Sequence, residues 1–367
     1  MPVIIDAHED LAYSMLNFGR DYRRSAAETR TLEARNSMVF QHNGKAMLGW
    51  QDYQQGQVAV IFATLFALPD RFKEGDWEKL VYQDHQQARS LLQKQLDLYQ
   101  RLCQENSDMF TWVRSKQDLQ TVLNIWQQTP AEFPHTTHPV GLVLSMEGAE
   151  GLAHPQELFE WWQAGVRIIG PVWAGSRYCG GSLVPGEFTA EGWTLLDIMA
   201  EIGFPLDIAH MNERSALQAL DRFPGMIIAS HANARAILKE DLHQRHLSNE
   251  TIQKLVERDG IIGMLPYNKF LSANWHKQAD RSLVTLQHLF AHIDHICQLA
   301  GSTRHVGFGT DFDGGFGWPE VPLELDTIAD LSQLAPLLAQ NGYSAADINA
   351  IFHGNWQRFL ERTLPES

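Results

Sequence analysis

Histidines and carboxylates recur at the C-terminal tips of short apolar runs. "VIIDAHED" (3–10) ends in His8 and Asp10, "VLSMEG" (143–148) in Glu147, "PLDIAH" (205–210) in His210, "IIASH" (227–231) in His231, and "HVGFGTDFDGG" (305–315) in Asp311 and Asp313. Imidazole nitrogen and carboxylate oxygen are the donors that a borderline divalent cation such as Zn2+ takes. Without a cation, carboxylates gathered in one pocket repel one another. Residues at i and i+2 of a strand face the same side, so His8 and Asp10 pair while Glu9 turns away. A mononuclear hydrolytic site needs about three protein ligands and a water, so this larger set points to two cations about 3.5–4 Å apart. Glu147, with two oxygens, is the natural bridge between them. A lone histidine at a strand end is more often a hydrogen-bonded structural residue. The metal reading rests on recurrence at separate strand ends, not on any one residue.

The elements that must position these groups follow a regular rhythm. Runs at Val3–Asp6, Val58–Ala67, Val140–Met146, Val166–Trp173, Pro205–Ala209, Met226–Ser230, Gly260–Leu265 and His305–Thr310 are rich in Val and Ile and almost uniformly apolar. That pattern predicts parallel strands buried on both faces. Between them, residues 82–102, 190–203, 212–223, 248–260 and 282–301 place apolar side chains at i, i+3 and i+4, as amphipathic helices do. Ser248 supplies a start signal, and Gly203, Gly260 and Gly301 supply stops. Strands alternating with helices in this way predict a (β/α)8 TIM barrel of the metal-dependent hydrolase type, formed as a single domain over residues 1–367. A doubly wound open sheet is the alternative, but no GxGxxG follows the first strand. In a closed barrel all the C-terminal strand ends converge on one face, which brings the histidines and carboxylates together.

Composition narrows the partners. The chain is 44% hydrophobic, enough for a sizeable core, and its net charge of −15 disfavours nucleic acid and anionic membrane surfaces. A small-molecule substrate or a bound cation suits that charge better. The start of the chain turns acidic within six residues, and the longest uncharged apolar run, Val58–Pro69, is too short to span a bilayer. A cytoplasmic location is therefore expected. Cys103, Cys179 and Cys297 lack CxxC spacing and are expected to be small buried side chains. His288, His292 and His295 share one helix face that should be solvated or at an interface, and His135, His138 and His154 are expected at the surface.

With these residues in hand, the sequence resembles the membrane (renal) dipeptidase family, peptidase family M19, within the amidohydrolase superfamily. The family's D-G-H-x-D is similar to "DAHED", its E-G-x-x-x-I to "EGAEGL", its D-x-S-H to "DIAH", its S-H-S-x-A to "SHANA", and its H-x-G-x-G-x-D-F-D-G to "HVGFGTDFDG". A closing G-N-x-x-R-x-F recurs as "GNWQRFL" (354–360), so the ordered match runs over essentially the whole chain. The resemblance implies that His8 and Asp10 hold one metal, His210 and His231 a second, and Glu147 both, with zinc the usual ion. It implies that Asp311 takes a proton from the attacking water, passes it to the leaving amine and faces the substrate's amino group. Asp313 reads as structural.

The same resemblance assigns the substrate's C-terminal carboxylate to Arg245 in "RHLSNE", with about three extra residues before it than the family's R-N-[VL]-x-D-[DE] pattern carries. The implied activity is hydrolysis of small dipeptides, including those with a C-terminal D-residue. Family members often form homodimers, on which the periodicity is silent. One departure stands out: after the fourth strand the family carries L-T-H, whereas here Trp173 takes the histidine's place. An indole donates one hydrogen bond and carries no charge. Oxyanion stabilisation would then lean on the metal, or on Arg177 or Tyr178, and the substrate could be another amide or a modified amino acid. Phe270 stands where some members have tyrosine, leaving Tyr267 at the mouth of the seventh strand. A non-catalytic metal-binding barrel is the remaining alternative.

Overall fold

The computed structural model describes residues 2–128, 138–238, 245–277 and 279–367. Eight strands form its centre: β1 (Ile4–Glu9), β2 (Val58–Phe66), β3 (Val140–Glu147), β4 (Val166–Gly170), β5 (Leu206–Asp207), β6 (Ile227–Ile228), β7 (Ile262–Met264) and β8 (Val306–Phe308). They pair in parallel in the order β7-β8-β1-β2-β3-β4-β5-β6. A parallel bridge from Ala229 to Ile262 joins the two ends, with Gly263 N–H donating to Ala229 O at 2.8 Å, so the sheet closes into a barrel. Closure brings backbones into close approach: a Cβ on Gly263 or on Gly309 would lie 1.8 Å from Ser230 O, which is why both positions have none. The open-sheet alternative falls away.

Each predicted run forms a strand, with shifted limits. β1 continues to Glu9, three residues beyond the apolar run, so His8 lies inside the strand. Asp10 then leaves the extended conformation (φ −93, ψ 49) and begins helix Leu11–Phe18 without capping it through its side chain. Its carboxylate is thereby left for other use. A short strand, Phe110–Trp112, pairs with the N-terminal half of β3, beside the stretch that pairs with β4.

Side-chain caps start the outer helices. Asp84 accepts from Gln87 N–H ahead of His85–Glu105, Thr189 from Gly192 N–H ahead of Ala190–Ile202, and Ser248 from Thr251 N–H ahead of Asn249–Glu257. Such caps contribute about 1 kcal/mol each. Gly203 and Gly301 end their helices in the left-handed region, but at the third predicted stop it is Asp259 (φ 54) that adopts it, just before Gly260. The closing segment braces β8: Asn355 Nδ2 donates to Thr303 O (2.7 Å) and Val306 O (2.8 Å), and Trp356 Nε1 donates to Phe308 O (2.9 Å).

Two histidines are deeper than expected. His292 is fully buried, its Nδ1 accepting from Ala234 N–H at 3.2 Å, because the helix Leu286–Ala300 turns that face towards the loop after β6. His138 is also buried, edge-on against Trp126 at 5.1 Å. His154 is exposed, whereas His135 lies outside the described residues. The three cysteines are buried and free. Among the described residues no helix is long and apolar enough to cross a membrane.

Candidate metal centre and active site

Barrel closure collects six polar side chains from five strand ends at one point. Glu147 Oε1, at the tip of β3, lies 3.0 Å from His210 Nε2, 3.5 Å from His231 Nε2 and 3.9 Å from His8 Nε2. His8 Nε2 is 3.6 Å from Asp10 Oδ2 and 4.0 Å from Asp311 Oδ1. His210 and His231 bring their Nε2 atoms within 3.0 Å of each other. His8, Glu147 and His231, and separately His8, Asp10 and Asp311, offer ligand atoms that all lie within 4.8 Å of one another.

These groups fit divalent cations. The buried atoms His8 Nε2, Asp10 Oδ1 and Glu147 Oε1 have no hydrogen-bond partner, an expensive condition for polar atoms unless something else is bound there. Gly314 keeps the space open, since a Cβ at that position would sit 2.0 Å from Asp311 Oδ1 and 2.9 Å from Asp10 Oδ2. Glu147 is central enough to face both pairs of ligands.

Electrostatics tell the same story. Burial works against a charge on His8, yet Glu147, Asp10 and Asp311 outweigh it and push the imidazole up to about 10. Burial would raise Glu147, but His210 and His8 hold it down at about 2. Burial lifts Asp10 above its usual range, and lifts Asp311 well above it with help from Asp10 and Glu147. Burial and Arg245 keep His210 down, and burial, His8 and Arg245 do the same for His231. The mutual shifts of His8, Glu147, Asp10 and Asp311 show how strongly these groups interact across the cluster. Metal ligands must be deprotonated, so a cation takes the place of protons.

A cleft of about 520 Å³ opens over the cluster, lined by Asp10, Tyr13, Phe66, Trp77, Trp173 and Glu78 among others. A neighbouring lobe of about 470 Å³ shares Trp173, His210, Tyr267 and Asp311 and adds Arg245 and Phe270. Arg245 is buried at that lobe's base, donating from Nη1 to Ala209 O (2.7 Å) and from Nη2 to His231 O (2.8 Å). These bonds tie it to the chain beside both histidines. Trp173 is half-buried, its ring 6.0 Å from that of His210 and packed against Phe66 and Phe72. Tyr267 stacks on Phe316 at 4.3 Å, with its hydroxyl 3.4 Å from Glu320 Oε2. Arg177 and Tyr178 do not reach the cleft. Arg177 donates to Leu152 O and to the Tyr178 hydroxyl, and Tyr178 is fully buried. Both side chains are engaged there and neither lines either lobe, which removes them from an oxyanion role.

The model of the membrane dipeptidase family, peptidase family M19, matches residues 1–364. The chain belongs to that family. It is a metal-dependent dipeptidase on a TIM barrel of amidohydrolase type. A relative, dipeptidase tcpJ of Claviceps purpurea, is 24% identical, covering 83% of this chain and 67% of its own length. An uncharacterised protein encoded 5' of pqqA in Klebsiella pneumoniae is 30% identical over 60% of this chain and 82% of its own. Among solved structures, a metallopeptidase from Rhodobacter sphaeroides, bound to a phosphinate mimic of L-Ala-D-Ala, superposes with a TM-score of 0.79 at 19% identity, covering 99% of this chain and 100% of that one. PvdM of Pseudomonas aeruginosa, a probable dipeptidase, gives 0.78 at 16%, covering 100% and 96%. These two likenesses concern the fold.

Several residues that support the cluster in this dipeptidase escaped sequence reasoning. His231 Nδ1 is 2.8 Å from Ser230 Oγ, and His8 Nδ1 is 3.4 Å from Thr64 Oγ1, which is itself 3.0 Å from Ser145 Oγ. These contacts orient the rings so that Nε2 faces the cluster. Asp207 Oδ1 accepts from Ala209 N–H (3.0 Å) and Ser230 N–H (2.9 Å), fixing the backbone that carries both histidines. Asp207 could have been found, since it opens the same short pattern "DIAH" that ends in His210, but serine and threonine carry no such signal. Glu9 turns away as expected, accepting from the Tyr53 hydroxyl. Asp313 is structural as read: its carboxylate takes Arg20 Nη1 (3.0 Å), Met47 N–H (2.9 Å) and the Tyr22 hydroxyl (3.2 Å).

Proposed function

We propose that this chain is a binuclear zinc dipeptidase that hydrolyses small dipeptides carrying a free amino group and a free carboxylate, C-terminal D-residues included. The observation that carries the reading is the convergence of the Nε2 atoms of His8, His210 and His231 on Glu147 Oε1, with Glu147 Oε1, His8 Nε2 and Asp10 Oδ1 buried without hydrogen-bond partners. His8 and Asp10 would hold one cation, His210 and His231 the other, and Glu147 both. When bound, such cations supply Lewis acidity and lower the pKa of a water at the site towards neutrality.

The protein's own groups do the rest. Arg245, with its planar array of donors, takes the substrate carboxylate in the lobe it lines. Tyr13, Phe66 and Trp173 form an apolar wall for the N-terminal side chain in the larger lobe. Asp311 receives the proton of the attacking water at its carboxylate, which lies 4.0 Å from His8 Nε2 and lines both lobes, and delivers it to the departing amine. Tolerance of a D-residue has indirect support from the phosphinate L-Ala-D-Ala mimic bound by the Rhodobacter sphaeroides metallopeptidase.

A panel of L,L and L,D dipeptides assayed with zinc, alongside metal analysis, tests the reading. Turnover with about two ions per chain is expected. Two bound ions without turnover of any dipeptide would remove it. A second reading, hydrolysis of another amide or of a modified amino acid, is favoured by Trp173, whose bulk fills the cleft wall beside His210. Amides of other amino acids, run in the same panel, decide between the two.

A further inference from the structure

Asp311 occupies an unusual backbone state. Its φ of 55 lies in the left-handed region, and that of Asp313, at 63, does too. Residues with a side chain rarely stay there unless their surroundings hold them, and such strain concentrates at functional positions. The turn that contains both is clamped at each end, but only the rear clamp, at Asp313, belongs to a residue already read as structural.

The forward clamp is Asp6. It lies on β1 two residues before His8 and is fully buried. Its carboxylate faces Thr310, the residue before Asp311, and accepts both of that residue's donors: Thr310 N–H on Oδ1 at 2.7 Å and Thr310 Oγ1 on Oδ2 at 2.5 Å. Thr310 is fully buried as well. Bonds from a neutral donor to a carboxylate are the stronger kind, and two of them on one residue fix its orientation as well as its place. On the far side of Thr310, Asp311 N–H donates to His8 O at 3.1 Å, and Phe312 N–H reaches Thr310 Oγ1 at 3.4 Å. The hydroxyl of Thr310 therefore donates forward to Asp6 and accepts from the turn behind it. One strand, β1, thus carries the candidate ligand His8, leads directly into Asp10, and also aims the acid-base group that follows β8. The nucleus of this arrangement contains no exposed atom, so no solvent molecule can replace either bond.

We propose that Asp6 and Thr310 act as one positioning pair, holding Asp311 in its left-handed conformation with its carboxylate directed at the cluster, so that their loss slows proton transfer without weakening substrate or metal binding. This rests on the proposed role of Asp311 in dipeptide hydrolysis. Misplacing a reacting group by about 1 Å costs about 100-fold in rate. Removal of an interaction that matters only during reaction lowers kcat and leaves KM in place.

The test uses the full chain loaded with zinc. Thr310→Val keeps the shape and removes the hydroxyl; kcat is expected to fall by about 10- to 100-fold, with KM and the metal content as in the parent. Thr310→Ser restores the hydroxyl and should recover most of the rate. Asp6→Asn and the double variant Asp6→Asn/Thr310→Val complete a cycle in which the double loss is no larger than the worse single loss, as for groups that act as a unit. A parental kcat in Thr310→Val, a Thr310→Ser variant as slow as Thr310→Val, additive losses in the cycle, or a fall in kcat that follows lost metal would each overturn the pair. A crystal structure of Thr310→Ser and Thr310→Val judges it independently of turnover: Asp311 should keep its positive φ in the first and leave it or shift its carboxylate in the second, and identical Asp311 geometry in both refutes the proposal. If the parent cleaves no dipeptide, the proposed function fails by itself, while that structural comparison still decides the pair.

Discussion

At the scale of single residues, roles separate by what each side chain touches. Asp311 meets His8 at 4.0 Å and lines both lobes of the cleft, so Asp311→Asn should abolish dipeptide turnover while the chain still binds its metal; surviving activity would reassign the proton transfer. Arg245 sits in the lobe away from Asp10. Arg245→Met is expected to raise KM for dipeptides by about 10-fold or more, as loss of a charge-assisted contact of about 1.5–3 kcal/mol should. Dipeptide amides, which lack the carboxylate, should show no such change, and equal effects on both would point to a packing role instead. Trp173 packs on Phe66, Phe72 and His210. Restoring histidine there, Trp173→His, should improve dipeptide turnover if the family's oxyanion contact is what this chain lacks, and steady-state kinetics on the same panel will tell.

At the scale of elements, stability and its response to pH have local origins. Ser248→Ala removes the cap on Thr251 N–H (3.1 Å) and should cost about 1 kcal/mol in a denaturant titration. His292, on the helix Leu286–Ala300, is held down to about 3 by burial first and by His246 and His295 second. Its unfolded value is near 6.5, so between pH 6.5 and pH 3 the unfolded chain binds a proton that the folded chain refuses. Folding stability is therefore intact above pH 6.5 and falls as the pH drops, by about 1.4 kcal/mol per pH unit for this group. His292→Gln should flatten that acid limb in a melting-temperature profile, whereas an unchanged slope would assign it to other groups.

At the scale of the molecule, the barrel and the metal centre support each other. A cation that binds only the folded state adds about 4 kcal/mol when present at about 1,000 times its Kd, so chelation should lower the melting temperature and zinc should restore it, read by calorimetry with and without chelator. The amino-acid sequence by itself determined the eight buried strands, because uniform apolar runs have few other stable environments, and it placed histidines and carboxylates at strand tips that a parallel barrel gathers on one face. It also determined the family, through the order of its short patterns. Tertiary structure alone decided the burial of His292, which depends on the loop after β6 packing over that helix face, and the withdrawal of Arg177 and Tyr178, whose loop folds towards Leu152 rather than the cleft. It alone decided that Asp10 serves the cluster from a helix start and not from a strand. The grip of Asp6 on Thr310 joins residues 304 positions apart. Periodicity records what each residue requires of water and of its near neighbours in the chain, and a contact of that kind exists only once the barrel has closed.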